Sequence, residues 1–168
     1  MEAGPLEPIP IAEDAPLRQR LYPYWGETPR PPDDPRRWAD DYDKILVERA
    51  VMGEMDLPGT VLRLPMVYGP GDENHRLFAY LKRMDDGRPA ILLDEVQARW
   101  RWARGYVEDI ARAIVMAVLD DRAIGRVYNI SEPDALTEAE WVQAIGRVVG
   151  WRGEVVAVPS DLRPPRLK

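Results

Sequence analysis

Apolar residues recur along the chain with two different spacings, and the spacing changes from segment to segment. From Arg36 to Gly53, Ala39, Tyr42, Leu46 and Ala50 fall near one stripe, and Ile45 and Val47 widen it, which predicts an amphipathic helix. Residues 60–67, "TVLRLPMV", are apolar or β-branched at nearly every position. That pattern predicts a strand covered on both faces, stopped by Gly69, Pro70 and Gly71. A helix over 74–86 ending at Gly87, a short strand at "PAILL" and an extended "RWRWARGYV" follow. Then come an apolar-striped helix in "VEDIARAIVMAVLDD", a buried strand in "GRVYNIS", a helix in "TEAEWVQAIGRVVG" and a strand in "GEVVAVP". Thr137 should cap the last of these helices, with Glu140 reaching back to close a capping box. Strands alternating with helices predict an α/β fold with parallel strand neighbours joined by right-handed crossovers.

The two ends interrupt this pattern. Prolines punctuate the first 35 residues too often for a helix or a strand ladder, so extended chain is expected there. Leu17, Leu21, Tyr22, Tyr24 and Trp25 would be poor choices for full exposure, which favours a segment packed on the domain over a free tail. One domain over 36–160 is expected to follow, with 161–168 as a flexible tail.

Composition then removes whole classes of function. A net charge of −6 repels phosphate backbones and anionic lipid, so neither nucleic acid nor membrane is an expected partner. With no cysteine, thiolate catalysis, disulfides and zinc–thiolate sites are excluded. His75 is the only histidine and has no cluster of carboxylates spaced around it, so no metal site is expected. The longest strongly apolar run, residues 113–119, is too short to cross a bilayer, and a soluble, cytoplasmic protein is expected.

Three segments in order, "DYDKILVERA", "LRLPMVYGPGD" and "RGYVEDIARAIVMAVLDDRAIGRVYNISEPDALTEAEWVQAIGRVVGW", resemble the extended short-chain dehydrogenase/reductases, the NAD(P)-dependent epimerase/dehydratase group. The resemblance covers roughly residues 10 to 160. It implies the C-terminal part of a Rossmann-like fold with a small substrate-binding subdomain, and activity on a sugar or nucleotide-sugar. Met1 falls just after the strand that carries the family's catalytic serine, so the chain resembles the second half of a longer protein. NAD or NADP is the cofactor expected of a complete relative. This chain contains no G-x-G-x-x-G, whose glycine turn and helix N-terminus would hold the pyrophosphate, so alone it should bind a dinucleotide weakly or not at all. The strand at 60–67 would also lack a neighbour and offer an apolar edge to a second chain, as in a homodimer. A non-catalytic binding or oligomerisation module derived from the same fold is the alternative reading.

The resemblance also implies site residues. In "KILVE", Lys44 and Glu48 match the family's Lys-x-x-x-Glu, but four residues before Lys44 stands Asp40 rather than the tyrosine of Tyr-x-x-x-Lys. Four residues make about one helical turn, which is what lets an ammonium lower a phenol's pKa; Tyr42 and Lys44 would instead lie about 200° apart on a helix. Three readings stay open. Lys44 holds the nicotinamide ribose while a displaced Tyr42 transfers the proton; Asp40 replaces the acid/base and shares a helix face with Lys44; or the redox chemistry is lost. Pro65 and Met66 are expected nearest the nicotinamide, with Tyr68 and His75 among the substrate contacts. Arg101 or Arg104, just before "YVEDIA", would hold a phosphate of the substrate, since guanidinium grips phosphate in a bidentate way.

Overall fold

The computed structural model describes residues 10–26 and 28–162; of the packed segment expected over 1–35 and the flexible tail expected over 161–168, the parts at 1–9, 27 and 163–168 lie outside the described residues. In chain order the elements are a 3-10 turn Arg37–Asp40, α1 Lys44–Gly53, β1 Val61–Arg63, β2 Met66–Tyr68 and α2 Phe78–Asp85. They continue with β3 Ala90–Asp94, α3 Glu95–Arg99, β4 Arg104–Tyr106, α4 Val107–Leu119, β5 Val127–Asn129, α5 Glu138–Val149 and β6 Glu154–Val158, with 3-10 turns at Asp121–Ala123 and Ser160–Leu162. The strands pair as β1 with β5, β2 with β4 and β3 with β6, every pair parallel, in an α/β fold. The chain divides into two compact units: one runs to Arg63 and resumes over 114–129, the other takes 64–113 and the chain from Ile130 on.

In the first unit the helix expected over 36–53 is broken. The 3-10 turn ends at Asp40, and Asp43 adopts extended backbone (φ −144°, ψ 116°). Its carboxylate accepts the Ile45 N–H at 2.8 Å and caps α1, which therefore begins at Lys44. A carboxylate at a helix N-terminus meets both free N–H groups and the positive end of the dipole, so capping wins over continuing the stripe. The same carboxylate accepts the Tyr22 N–H at 2.5 Å and the Arg18 guanidinium at 2.6 Å. Asp40 accepts the Arg30 N–H at 2.7 Å and the Arg30 guanidinium. Two buried carboxylates thus staple the proline-punctuated segment to the start of α1. Further along, Glu13 accepts the Asn129 N–H and the Asn129 amide donates to the Ile11 carbonyl, both at 2.9 Å.

The continuous strand expected over 60–67 is two strands. Pro65 lacks an N–H and ends the ladder. Before it β1 pairs with β5; after it β2 pairs with β4. Neither β1, β2 nor β5 is fully buried, against the expectation of strands covered on both faces.

The second unit has its own apolar core of Met84, Ile91, Leu93, Ala98, Trp141, Val142 and Ile145, drawn from α2, β3, α3 and α5. The expected capping box is present: Thr137 Oγ1 accepts the Glu140 N–H at 3.2 Å, and Glu140 accepts the Thr137 N–H at 2.7 Å. The helix expected over 74–86 is shorter, because Asp72 accepts the N–H groups of Asn74 and Arg76 and holds that stretch as turns until α2 begins at Phe78. In "RWRWARGYV", Arg99 closes the short helix α3 rather than lying in extended chain, and only Arg101 and β4 make bridge or ladder contacts. Gly105 sits where a Cβ would come within 2.5 Å of Ile110 and 2.9 Å of Pro65, so β4 can lie against both only without a side chain there.

Candidate functional site

Strand β4 carries an arginine inward. Arg104 is 3 % exposed, and an arginine buried that deeply needs a partner charge and acceptors for its N–H groups. Its Nη2 donates to the carboxylate of Glu138, itself 7 % exposed in the first turn of α5. Its Nη1 reaches the carbonyls of Trp102 and Leu136 at 3.3 Å, and its guanidinium carbon stands 4.8 Å from the Trp141 ring centroid. Among the described residues, Nε–H meets no acceptor. Such an unmet buried donor costs about 1–3 kcal/mol.

Glu138 also accepts the Tyr80 hydroxyl at 2.5 Å. Burial first, and then the hydrogen bond and charge of Glu138, push the Tyr80 phenol well above its ordinary value. Tyr68 behaves alike: its hydroxyl donates to Glu132 at 2.7 Å, its ring lies edge-on to Trp141 at 5.0 Å, and burial followed by Glu132 raises its pKa. Both phenols keep their protons at neutral pH and act as donors, not bases.

Beside this network is a cavity of about 270 Å³ lined by Met66, Arg76, Tyr80, Gln97, Trp100, Trp102, Arg104, Glu138 and Trp141, with Leu77. Trp100 and Trp102 stack with centroids 4.8 Å apart and planes 28° apart. Arg76 is paired with Asp72 and donates to the Val67 carbonyl at 3.2 Å.

Of the residues singled out in sequence, Met66 and Arg104 line this cavity. Tyr68 lines a neighbouring cleft with Gly69, Pro70 and Asp72. Pro65 packs where Gly105 admits it. Arg101 donates to the Ala135 carbonyl and lies 3.6 Å from Glu140, outside the cavity lining. His75 is exposed, with φ +48°, in the turn before α2 rather than on a helix.

Lys44, Tyr42 and Asp40 belong to the first unit. Lys44 is the exposed first residue of α1, and Tyr42 lies in the turn before it, its ring 5.6 Å from Trp38 and edge-on. Asp40 and Lys44 do not share a helix face, because Asp40 ends the separate 3-10 turn and pairs with Arg30 and Arg37. The Arg30 N–H, followed by the Arg30 and Arg37 charges, holds the Asp40 carboxyl below its ordinary value despite burial. Glu48 is gripped by Arg63 through Nε at 3.0 Å and Nη2 at 2.5 Å, which lowers its pKa.

Sequence reading missed Glu138, Tyr80 and Gln97. Glu138 was hidden inside the helix-start signal of "TEAE", where an acid in the first turn needs no other explanation.

Among the described residues, the helix N-termini do not form a cradle for a dinucleotide pyrophosphate. Asp43, Asp94 and Thr137 with Glu140 cap α1, α3 and α5, and Glu108 and Asp109 open α4. Before α2, Asp72 already takes the turn N–H groups. Carboxylates at these positions repel the phosphates that an open helix N-terminus would attract. Among the described residues no group of histidine and carboxylate side chains could hold a metal ion, and no helix is long and apolar enough to cross a membrane.

The sequence model of the NAD dependent epimerase/dehydratase family matches residues 30–131. The chain belongs to this family. A relative from Sinorhizobium fredii, the uncharacterized protein y4nL, is 25% identical over 126 residues, which are 73% of this chain and 34% of that protein. The structure of epimerase Mth375 from Methanothermobacter thermautotrophicus matches 94% of this chain and 44% of its own, at 18% identity and a TM-score of 0.59. The dTDP-glucose 4,6-dehydratase of Bacillus anthracis, solved in complex with NAD, matches 83% of this chain and 47% of its own, at 22% identity and a TM-score of 0.54. These likenesses place the fold among the epimerases and dehydratases. The chain spans about a third of the curated relative and less than half of either structure.

Proposed function

We propose that this chain is the substrate-binding portion of an NAD(P)-dependent epimerase or dehydratase acting on a sugar or nucleotide-sugar. The observation that carries this reading is the cavity beside Arg104, a concave site with aromatic walls and a few converging polar groups, in a chain of this family. The Bacillus anthracis relative, a dTDP-glucose dehydratase solved with NAD, supports both the substrate class and the cofactor. Arg104 is the substrate-facing arginine of the proposal, and Met66 lies in the same wall. The cofactor's pyrophosphate would be held by a glycine-rich half that these residues do not supply. In the assembled enzyme, Lys44 would hold the nicotinamide ribose and Tyr42, set free of α1 by the Asp43 cap, would be the proton-transfer residue. Asp40, clamped and ionised between two arginines, is a poor proton donor.

The test joins this chain to a glycine-rich dinucleotide-binding half and measures NAD(P) affinity and turnover of nucleotide-sugars. Lys44→Ala should weaken cofactor binding, and Tyr42→Phe should lower turnover with little change in cofactor affinity. Undiminished affinity in Lys44→Ala removes Lys44 from the site. The non-catalytic alternative predicts no turnover of any nucleotide-sugar by the joined protein.

A further inference from the structure

Helix α4 turns its small side chains toward the protein and its large apolar ones toward solvent. Of its thirteen residues only Ile110 is buried, with Ala113 and Ala117 half-buried on the same side. Val115, Met116 and Leu119 stand 54, 70 and 78 % exposed. At about 100° per residue, these three share one face of the helix with Glu108 and Arg112. A surface helix ordinarily has the opposite polarity, its apolar stripe inward and its polar residues outward, so this face calls for a cover.

The apolar surface continues past the helix. The Gly125 N–H donates to the Gly59 carbonyl at 3.0 Å, and the Thr60 hydroxyl donates to the Ala123 carbonyl at 2.7 Å. These bonds join the turn after α4 to the loop before β1, and each segment exposes an apolar residue, Ile124 in the turn and Leu57 in the loop. Both segments lead into the N-terminal ends of β5 and β1. Ligand sites in parallel α/β sheets form at the opposite, C-terminal ends, so this surface lies apart from a substrate or cofactor site. A further strand beside β1 would add on the edge away from β5, the strand to which α4 leads, and would leave the surface open.

The charges that bracket the apolar face say what covers it. Glu108, Asp109 and Arg112 precede it on α4, and Asp120, Asp121 and Arg122 follow it. When two copies of α4 lie antiparallel about a two-fold axis near Met116, Arg112 of each copy comes opposite Asp120 of the other, and Arg122 opposite Asp109. Leu119 then lies along the aliphatic stem of the other copy's Arg112, and the helix dipoles oppose favourably. The pairs these arginines make within one chain, Arg112 with Asp109 and Arg122 with Asp120, are solvent-exposed and cost little to exchange.

We infer that α4 is a self-association surface: a second copy of this chain packs against it antiparallel, with Met116 beside the two-fold axis. The inference is independent of the substrate reading above.

The experiment is sedimentation of the full 168-residue chain from micromolar to hundreds of micromolar, which should show a monomer–dimer equilibrium. Met116→Glu, which brings two carboxylates together at the axis, should weaken the dimer about tenfold or more, with an unchanged circular-dichroism melt certifying the fold. Val51→Glu, on the exposed apolar face of α1, should leave the dimer intact. Because the chain has no cysteine, Met116→Cys places a single thiol on each copy. Mild oxidation should link Met116→Cys into a covalent dimer much faster than it links Val51→Cys. A wild-type chain that stays monomeric throughout would overturn the inference. So would a dimer that survives Met116→Glu, or one that cross-links faster through Val51→Cys than through Met116→Cys.

Discussion

The two units of this chain are held together by different forces. The second contains a contiguous apolar core, whose members Ile91, Leu93 and Val142 are almost wholly buried. In the first, the buried apolar residues among those described are Ala39, Ile45 and Ala123, while Val47, Val51, Met52, Met55 and Leu57 are exposed. What the first unit has instead is a set of clamped carboxylates: Asp40 with Arg30, Asp43 with Arg18, and Glu48 with Arg63. A unit held by apolar burial resists salt and acid, whereas one held by ion pairs and capping does not. The difference also separates the candidate residues. The second unit offers a preformed cavity, and the first offers Tyr42 and Lys44 on a stapled turn.

Four measurements test this contrast. The largest effect should come from Glu138→Leu, which strands the buried Arg104 charge and should cost about 3–5 kcal/mol in urea unfolding of the second unit. Next is Ile91→Ala, which opens the apolar core and should cost about 2–5 kcal/mol. If it cost as little as a surface substitution, the core would not be what holds that unit. Acid should act on the first unit instead. The Arg18 hydrogen bond, aided by the Tyr22 and Ile45 N–H groups, holds the Asp43 carboxyl down to about 2, from an ordinary 3.8. A depressed carboxyl stabilises the fold above its ordinary pKa and loses that contribution as pH falls toward its folded one. Amide resonances of Tyr22 and Ile45 should therefore shift and broaden between about pH 4 and pH 2, before those around Ile91 change; loss of both sets together would remove the contrast. The smallest effect belongs to Glu48→Gln, which should cost about 1 kcal/mol or less and lose even that at high salt.

Much of the fold was legible because local signals agreed with it. Thr137 and Glu140 announced a capping box that is present, and "PAILL" and "GEVVAVP" gave β3 and β6. The misreadings share one cause, a polar or backbone interaction that a hydrophobic pattern does not record. Asp43 accepts three groups at once and cuts a helix whose apolar stripe ran through it. Pro65 splits a run that was apolar throughout, and Asp72 holds back α2 and leaves His75 in a left-handed turn. At the candidate site, "RWRWARG" contributes Trp100, Trp102 and Arg104 to the cavity lining. The engagement of Arg104 by Glu138, 34 residues later, is a tertiary fact that neither spacing nor motif could show.

On the proposal above, this chain carries the substrate end of an epimerase or dehydratase site and, among the described residues, no cradle for the dinucleotide. Calorimetric titration of the 168-residue chain with UDP-glucose and, separately, with NAD+ and NADP+ tests it most directly. Saturable binding of UDP-glucose with no saturable heat from either dinucleotide is the predicted result. Tight binding of NAD+ or NADP+ by this chain alone, with none of UDP-glucose, would contradict it.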